Sequence, residues 1–333
     1  MIKKSILIVA LMSSLMACNK SKRLELTESK LPATNIVRFD SLLLTIDTAN
    51  ILKSVKELYK TEPDFMTYYV ANIIESNPSD TLETARLVGL FLQNATFKQV
   101  NKDVLSVFKN TDSIQQNIDL AYKYLNQYFP KIKTPKVYFY VSGFNSPIVL
   151  EDNFVGIGLD LYLGSNYPPY RDMSYQYLLY NMRPASIAPD LLSAMLFKHF
   201  PFDGQQERLL ENMLYRGKIM HLLSLIMPQV PPHDIMGYTR FQWEWSRKYE
   251  NKIWNSIVGQ KDLYSTDITL INKYLNDAPF TATISQESPG RLGTWVGWQI
   301  ISQYMKNNPE TTIVQLMEMN DYQQILTKSE YQP

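Results

Sequence analysis

Three histidines, His199, His221 and His233, are the only imidazoles in the sequence, and they stand 22 and 12 positions apart. A zinc hydrolase wants ligand histidines one helical turn apart, as in H-E-x-x-H, or a cysteine cluster. The chain has one cysteine, Cys18, so the expectation is no zinc and no other cofactor. The sequence has no G-x-S-x-G elbow, Walker loop or G-x-G-x-x-G fingerprint, and each of those chemistries needs its motif. Gly290, Gly293 and Gly297 are spaced three and four apart, which is not a phosphate cradle. Glu207 and Glu211 fall i,i+4 on one expected helix, and Asp152 and Asp160 lie beside an expected sheet. Counting alone leaves paired acids for glycoside hydrolysis open, although charged residues are mostly solvated surface.

The densest segment is Ser288 to Ile300, SPGRLGTWVGWQI. Pro289-Gly290 reads as a turn and Leu292 as a helix start, with Gly293, Gly297, Ile300 and Tyr304 on one stripe open to close approach by another backbone. Arg291 at the helix entrance could hold an anion or carboxylate; the plainer reading pairs it with a carboxylate of the protein itself. Trp295 and Trp298 read first as buried packing and second as an exposed recognition pair, and Trp243, Trp245 and Trp254 take the same default. Glu211, Arg291 and Trp295 are the candidates for a cleft or partner surface. None of these residues has the spacing of a catalytic set.

Cys18 has a different chemistry. Met1 to Cys18 reads MIKKSILIVALMSSLMAC: two lysines, an apolar stretch shorter than the ~20 residues of a spanning helix, then small Ala17 before the cysteine. This has the form of a bacterial lipobox. Residues 1–17 are expected to be a signal peptide, Cys18 the acylated (palmitate-bearing) mature N-terminus, and 18–35 a tether. Three acyl chains at ~0.8 kcal/mol per buried methylene would hold the protein permanently in a membrane. Asn19 to Arg23 carry neither an inner-membrane retention aspartate nor an acidic export run. Both absences point to the outer membrane, facing the periplasm.

The elements that must position these residues follow from pattern. The chain has 333 residues, 33 Lys+Arg against 32 Asp+Glu, 45% hydrophobic and 12% aromatic side chains, and a mean hydropathy of -0.22. Such values exclude disorder, collagen and a multi-span membrane protein, and give no electrostatic reason for nucleic acid. From Arg38 to Phe129 apolar residues recur at helical spacing, ending at Pro130. Val137–Val141, Ile148–Leu150 and Phe154–Leu159 then read as short strands, with one antiparallel hairpin. Helices resume over 172–180, 188–200, 205–226, 239–258 and 292–306, with two more to follow. The fold class is α+β, mostly α: one helical domain over 36–333 with a small, partly antiparallel sheet near 136–160.

With these residues in view, the chain resembles the gliding-motility lipoprotein GldB family of bacteroidetes over nearly its whole length. The resemblance rests on the lipobox, Arg38-Phe39-Asp40, Leu161 to Gly164, Leu210 to Lys218, Met236 to Thr239, Glu250 to Trp254, Ala278 to Phe280 and Ser288 to Tyr304. It implies an envelope lipoprotein needed for gliding and for linked secretion, binding envelope proteins and carrying no established enzymatic activity. The second half is also similar to a degenerate zincin-type metallopeptidase scaffold. The stretch near Pro189 to Ala194, where H-E-x-x-H would stand, has no histidine, and Glu211 matches a third-ligand position only loosely. The alternative function is therefore a cell-envelope hydrolase using carboxylates or a nonstandard metal.

Overall fold

The computed structural model describes Leu26 and residues 33–333; Cys18 and the expected signal peptide lie outside the described residues. Four short strands, β1 (Ile36–Arg38), β2 (Lys136–Tyr140), β3 (Ile148–Leu150) and β4 (Phe154–Gly158), form one sheet of order β1-β2-β4-β3. β3 and β4 are the expected antiparallel hairpin, whereas β1 and β4 both run parallel to β2. β1 was not foreseen: three residues are too few to show alternation, and the partner lies about a hundred positions on.

Alternation along β2 makes the sheet a wall between two cores. Val137, Phe139 and Val141 face the larger one, Tyr138 and Tyr140 the smaller, as period-2 side-chain placement requires. The smaller core is closed by α1 (Phe39–Leu44), α2 (Ile51–Thr61), α3 (Pro63–Asn72) and α4 (Thr81–Gln93). Pro63 opens α3, where its missing amide costs nothing, and the Asp80 side chain caps α4 by accepting from the Glu83 amide. Phe65 stacks on Tyr138 with ring centroids 4.2 Å apart. The buried Asp40 carboxylate receives Arg38 through Nη2 at 2.6 Å. Arg38 Nη1 also donates to the Phe108 carbonyl at 2.7 Å, so one guanidinium joins β1 to the C-terminal end of the helix over Ala95–Val107.

The larger core takes α5 (Ala95–Val107), α6 (Asp112–Tyr128) and, beyond the sheet, α7 (Tyr170–Met173), α8 (Ile187–His199), α9 (Leu209–Ile226), α10 (Pro232–Met236), α11 (Arg240–Lys248), α12 (Glu250–Gly259), α13 (Ile268–Leu275), α14 (Leu292–Asn307), α15 (Ile313–Glu318) and α16 (Tyr322–Ser329). The expected 239–258 helix is broken at Tyr249, and α10 and α13 are additions. α9 and α14 are the central pair and touch backbone to backbone. A Cβ on Gly217 would lie 2.4 Å from the Gly297 carbonyl carbon and oxygen. Lys218 of α9 is buried, and its Nζ donates to the carbonyls of Met317 (3.3 Å) and Met319 (2.7 Å) at the end of α15. Burial pushes this ammonium down to about 8. Among the described residues no helix is long and apolar enough to cross a membrane.

Candidate functional site

The charged residues gather where α14 begins. Thr281 makes that beginning: its Oγ1 accepts from the Leu292 amide (3.2 Å) and donates to the Pro289 carbonyl (2.8 Å). Gly290 packs against the Ala278 backbone, whose oxygen would lie 2.4 Å from a Cβ there. Arg291 is forced into the left-handed region, φ 59°, a conformation that costs a side-chain-bearing residue energy and clusters at functional positions. Its guanidinium leaves this turn in three directions. Nε pairs with Asp277 Oδ1 at 3.1 Å, Nη2 donates to the Met236 carbonyl, and the group lies 5.9 Å from the Tyr238 ring centroid. Gly237, at φ 70°, ends α10; a Cβ there would come within 2.8 Å of Arg291 Nη2 and 2.9 Å of Asn181 Nδ2. Glycine is what admits the arginine.

Two further arginines border this centre. Arg183 donates through Nη2 to Asp234 Oδ1 (2.6 Å), an oxygen that also receives Tyr180 (3.2 Å) and His233 Nδ1 (2.9 Å). Arg216 of α9 donates through Nη1 to the Leu275 carbonyl (2.9 Å) and has no carboxylate partner among the described residues. Burial lowers its pKa, and the nearby Arg291 charge lowers it further. Between these groups lies Asp190, in the first turn of α8, partly buried and hydrogen-bonded by the Tyr162 hydroxyl at 3.0 Å. Burial pushes its carboxyl up to about 7, more than offsetting the Tyr162 hydrogen bond and the Arg291 charge. Charges drawn out of water without close counter-charges are a mark of functional sites.

Asp190 makes a pH prediction. An acid whose folded pKa exceeds its unfolded value holds its proton more tightly when native, so it stabilises the fold at low pH and loses that stabilisation as pH rises from about 4 to about 7. Asp190→Asn keeps an oxygen acceptor for Tyr162. It is expected to be more stable than wild type at about pH 8, with the advantage vanishing near pH 4, in paired thermal unfolding curves. Parallel curves across that range would assign the pH dependence to another group.

The sequence candidates sit as follows. Arg291 is at the centre of the cluster. Glu211 is in the first turn of α9 and closes its own loop, Oε2 accepting from the Gln206 (3.0 Å) and Arg208 (3.3 Å) amides. Trp295 is fully buried, 6.3 Å from the Trp243 ring in a T-shaped contact, so it belongs to the core floor and not to an exposed surface. Asp160 is buried at the end of β4, accepting from the Ser142 and Phe144 amides, and holds the loop after β2. Asp152 pairs with Lys198 at the surface, and Glu207 is exposed. The histidines are on α8, α9 and α10; burial pushes His221 down to about 4. No group of three His, Cys, Asp or Glu that could hold a metal occurs among the described residues.

Arg183, Asp190, Arg216, Asp234 and Asp277 were missed from sequence because each comes from a different element. The signal that pointed here was the set of short motifs: Met236 to Thr239, Ala278 to Phe280 and Ser288 to Leu292 converge on Arg291. A cavity of about 380 Å³ lies beyond Asp234, lined by Phe108, Ile114, Asn117, Ala188 and Gln229 among others. Asp190 lines neither it nor a smaller cavity beside Thr34. The arrangement can grip carbonyl and carboxylate groups through its arginines.

No curated protein and no solved structure matches the chain. The family model described as gliding motility protein GldB matches residues 19–333. The chain belongs to the gliding motility protein GldB family.

Proposed function

We propose that this protein is an envelope lipoprotein, held by acyl chains on Cys18 after removal of residues 1–17, that serves gliding and the linked secretion machinery by binding its components. Residues 36–333 form the binding domain, on the periplasmic side of the outer membrane, and no catalysis is involved. The family match carries this reading. The arginine cluster supports binding over hydrolysis. Its cations are engaged by carbonyls and carboxylates of the protein itself, and its one strongly shifted acid lies outside the two cavities of about 380 and 230 Å³, whereas substrates are usually held in such concave sites. The raised pKa of Asp190 is what favours the second reading, a hydrolase with Asp190 as general acid.

Tagged wild-type and Cys18→Ala chains separate these. A clickable palmitate analogue is expected to label only the wild type, and mild-detergent extraction of membranes is expected to bring gliding or secretion components down with it. Equal labelling of both chains would remove the anchor. Peptide or glycoside hydrolysis by purified wild type, abolished in Asp190→Asn, would replace binding with catalysis.

A further inference from the structure

The described chain enters the body beside a basic loop. The Thr34 amide donates to Asp119 (2.6 Å), Gln115 Nε2 to the Thr34 carbonyl (3.1 Å), and the Val137 amide to the Asn35 carbonyl (3.2 Å). Residues 33–35 thereby lie against α6 and the start of β2. They share a cavity of about 230 Å³ with Thr134 and Pro135, the end of the α6–β2 connection. That connection reads Phe129-Pro-Lys-Ile-Lys-Thr-Pro135. Ile132 packs on the larger core, while Lys131 and Lys133 on either side of it are exposed. Neither lysine has an acidic partner among the described residues. Two carboxylates beside Thr34 and the start of β2 are already engaged: Glu62 pairs with Lys136 at 2.5 Å and Asp119 accepts from the Thr34 amide.

The length of chain outside the described body limits where this face can be. Leu26 is partly buried on the larger core and stands eight residues after Cys18. At about 3.5 Å per residue, Leu26 is at most about 28 Å and Ala33 at most about 53 Å along the chain from an anchored Cys18. The intervening residues carry Lys20, Lys22, Arg23 and Lys30 against Glu25 and Glu28, so the leash shares the loop's sign. A short cationic leash and an unbalanced cationic loop at its root fit one partner, a surface of negative charge.

We propose that the face made by the 129–136 loop beside Thr34 rests on the bilayer, with Lys131 and Lys133 taking the phosphate groups of anionic phospholipids. The inference rests on Cys18 as the anchor, yet its test needs no acyl chain, so the two can fail separately. The mature chain bearing Cys18→Ser is sedimented with vesicles of phosphatidylcholine alone and of phosphatidylcholine with one quarter phosphatidylglycerol. Binding to the anionic vesicles only is expected, weakening with salt. Lys131→Ser/Lys133→Ser should lower it roughly 25-fold, from about fivefold per lysine. The charge-matched control Lys53→Ser/Lys56→Ser, on exposed positions of α2, should leave it within about twofold. Equal losses in both double variants would reduce the effect to net charge and overturn the face. No binding to either vesicle would overturn it too, leaving the loop to an acidic protein.

Discussion

Gly297→Leu is expected to abolish native packing at the centre of the protein, lowering stability by about 3 kcal/mol or more. A Cβ on Gly297 would stand 1.9 Å from the Met213 carbonyl oxygen and 2.5 Å from its carbon. Those are backbone atoms of α9, so no rotamer change makes room. The opposite face of the same contact is Gly217, which has no more space. Even Gly297→Ala should destabilise, although alanine is about 1 kcal/mol the better helix former. Thermal unfolding of soluble, unacylated protein is expected to rank wild type above alanine above leucine. An alanine variant as stable as wild type would mean that α9 and α14 separate freely, and the backbone contact would lose its role. The stripe read from sequence is divided between two neighbours, since Gly293 faces Tyr274 and Leu275 of α13.

The second large effect belongs to Trp295. Its side chain is fully buried, and its indole Nε1 has no hydrogen-bond partner among the described residues. Trp295→Ala is expected to cost about 3–5 kcal/mol, through lost burial plus the cavity left behind. Trp295→Phe should behave differently. It gives up some packing but also removes a buried donor whose unmet hydrogen bond costs about 1–3 kcal/mol, so the two changes should cancel to within about 1 kcal/mol. Urea unfolding measures both. A phenylalanine variant as damaged as the alanine one would show that the indole N–H is needed, and that something in the folded protein or its complexes receives it.

Most helices and the hairpin are legible from sequence because their signals are local, although the helix expected over 172–180 is only the single turn Tyr170–Met173. Pro63, Asp80 and Pro130 mark helix ends, and the β-branched run at 137–141 marks the strand, wherever the rest of the chain goes. β1 was not legible because Ile36-Val37-Arg38 is a strand only through β2. α10 is five residues ended by a glycine, too short for periodicity. The site suffered the same limit more severely. Arg291 stood out through its own turn chemistry, but Asp190 is one aspartate in an apolar helix until Tyr162, Arg183 and Arg291 surround it. The packing default suits Trp295, and its burial removes it from the surface candidates. Glu207 lies before α9 begins, so the i,i+4 pairing with Glu211 has no part in that helix, and Glu211 instead accepts from the Gln206 and Arg208 amides.

The smaller core has a consequence for the order in which the molecule can be made. Phe39, Phe65 and Tyr69 share their cluster with Tyr138, Tyr140 and Phe154 from the later strands, and β1 pairs with residues 137–139. A chain that emerges N-terminus first, as one led by a signal peptide would, shows these aromatic rings to solvent or to holding chaperones while about another hundred residues follow. Such long-range closure is slow and exposed to misassociation. Export of such a chain would therefore deliver an unfinished protein, and its completion would wait on the sheet.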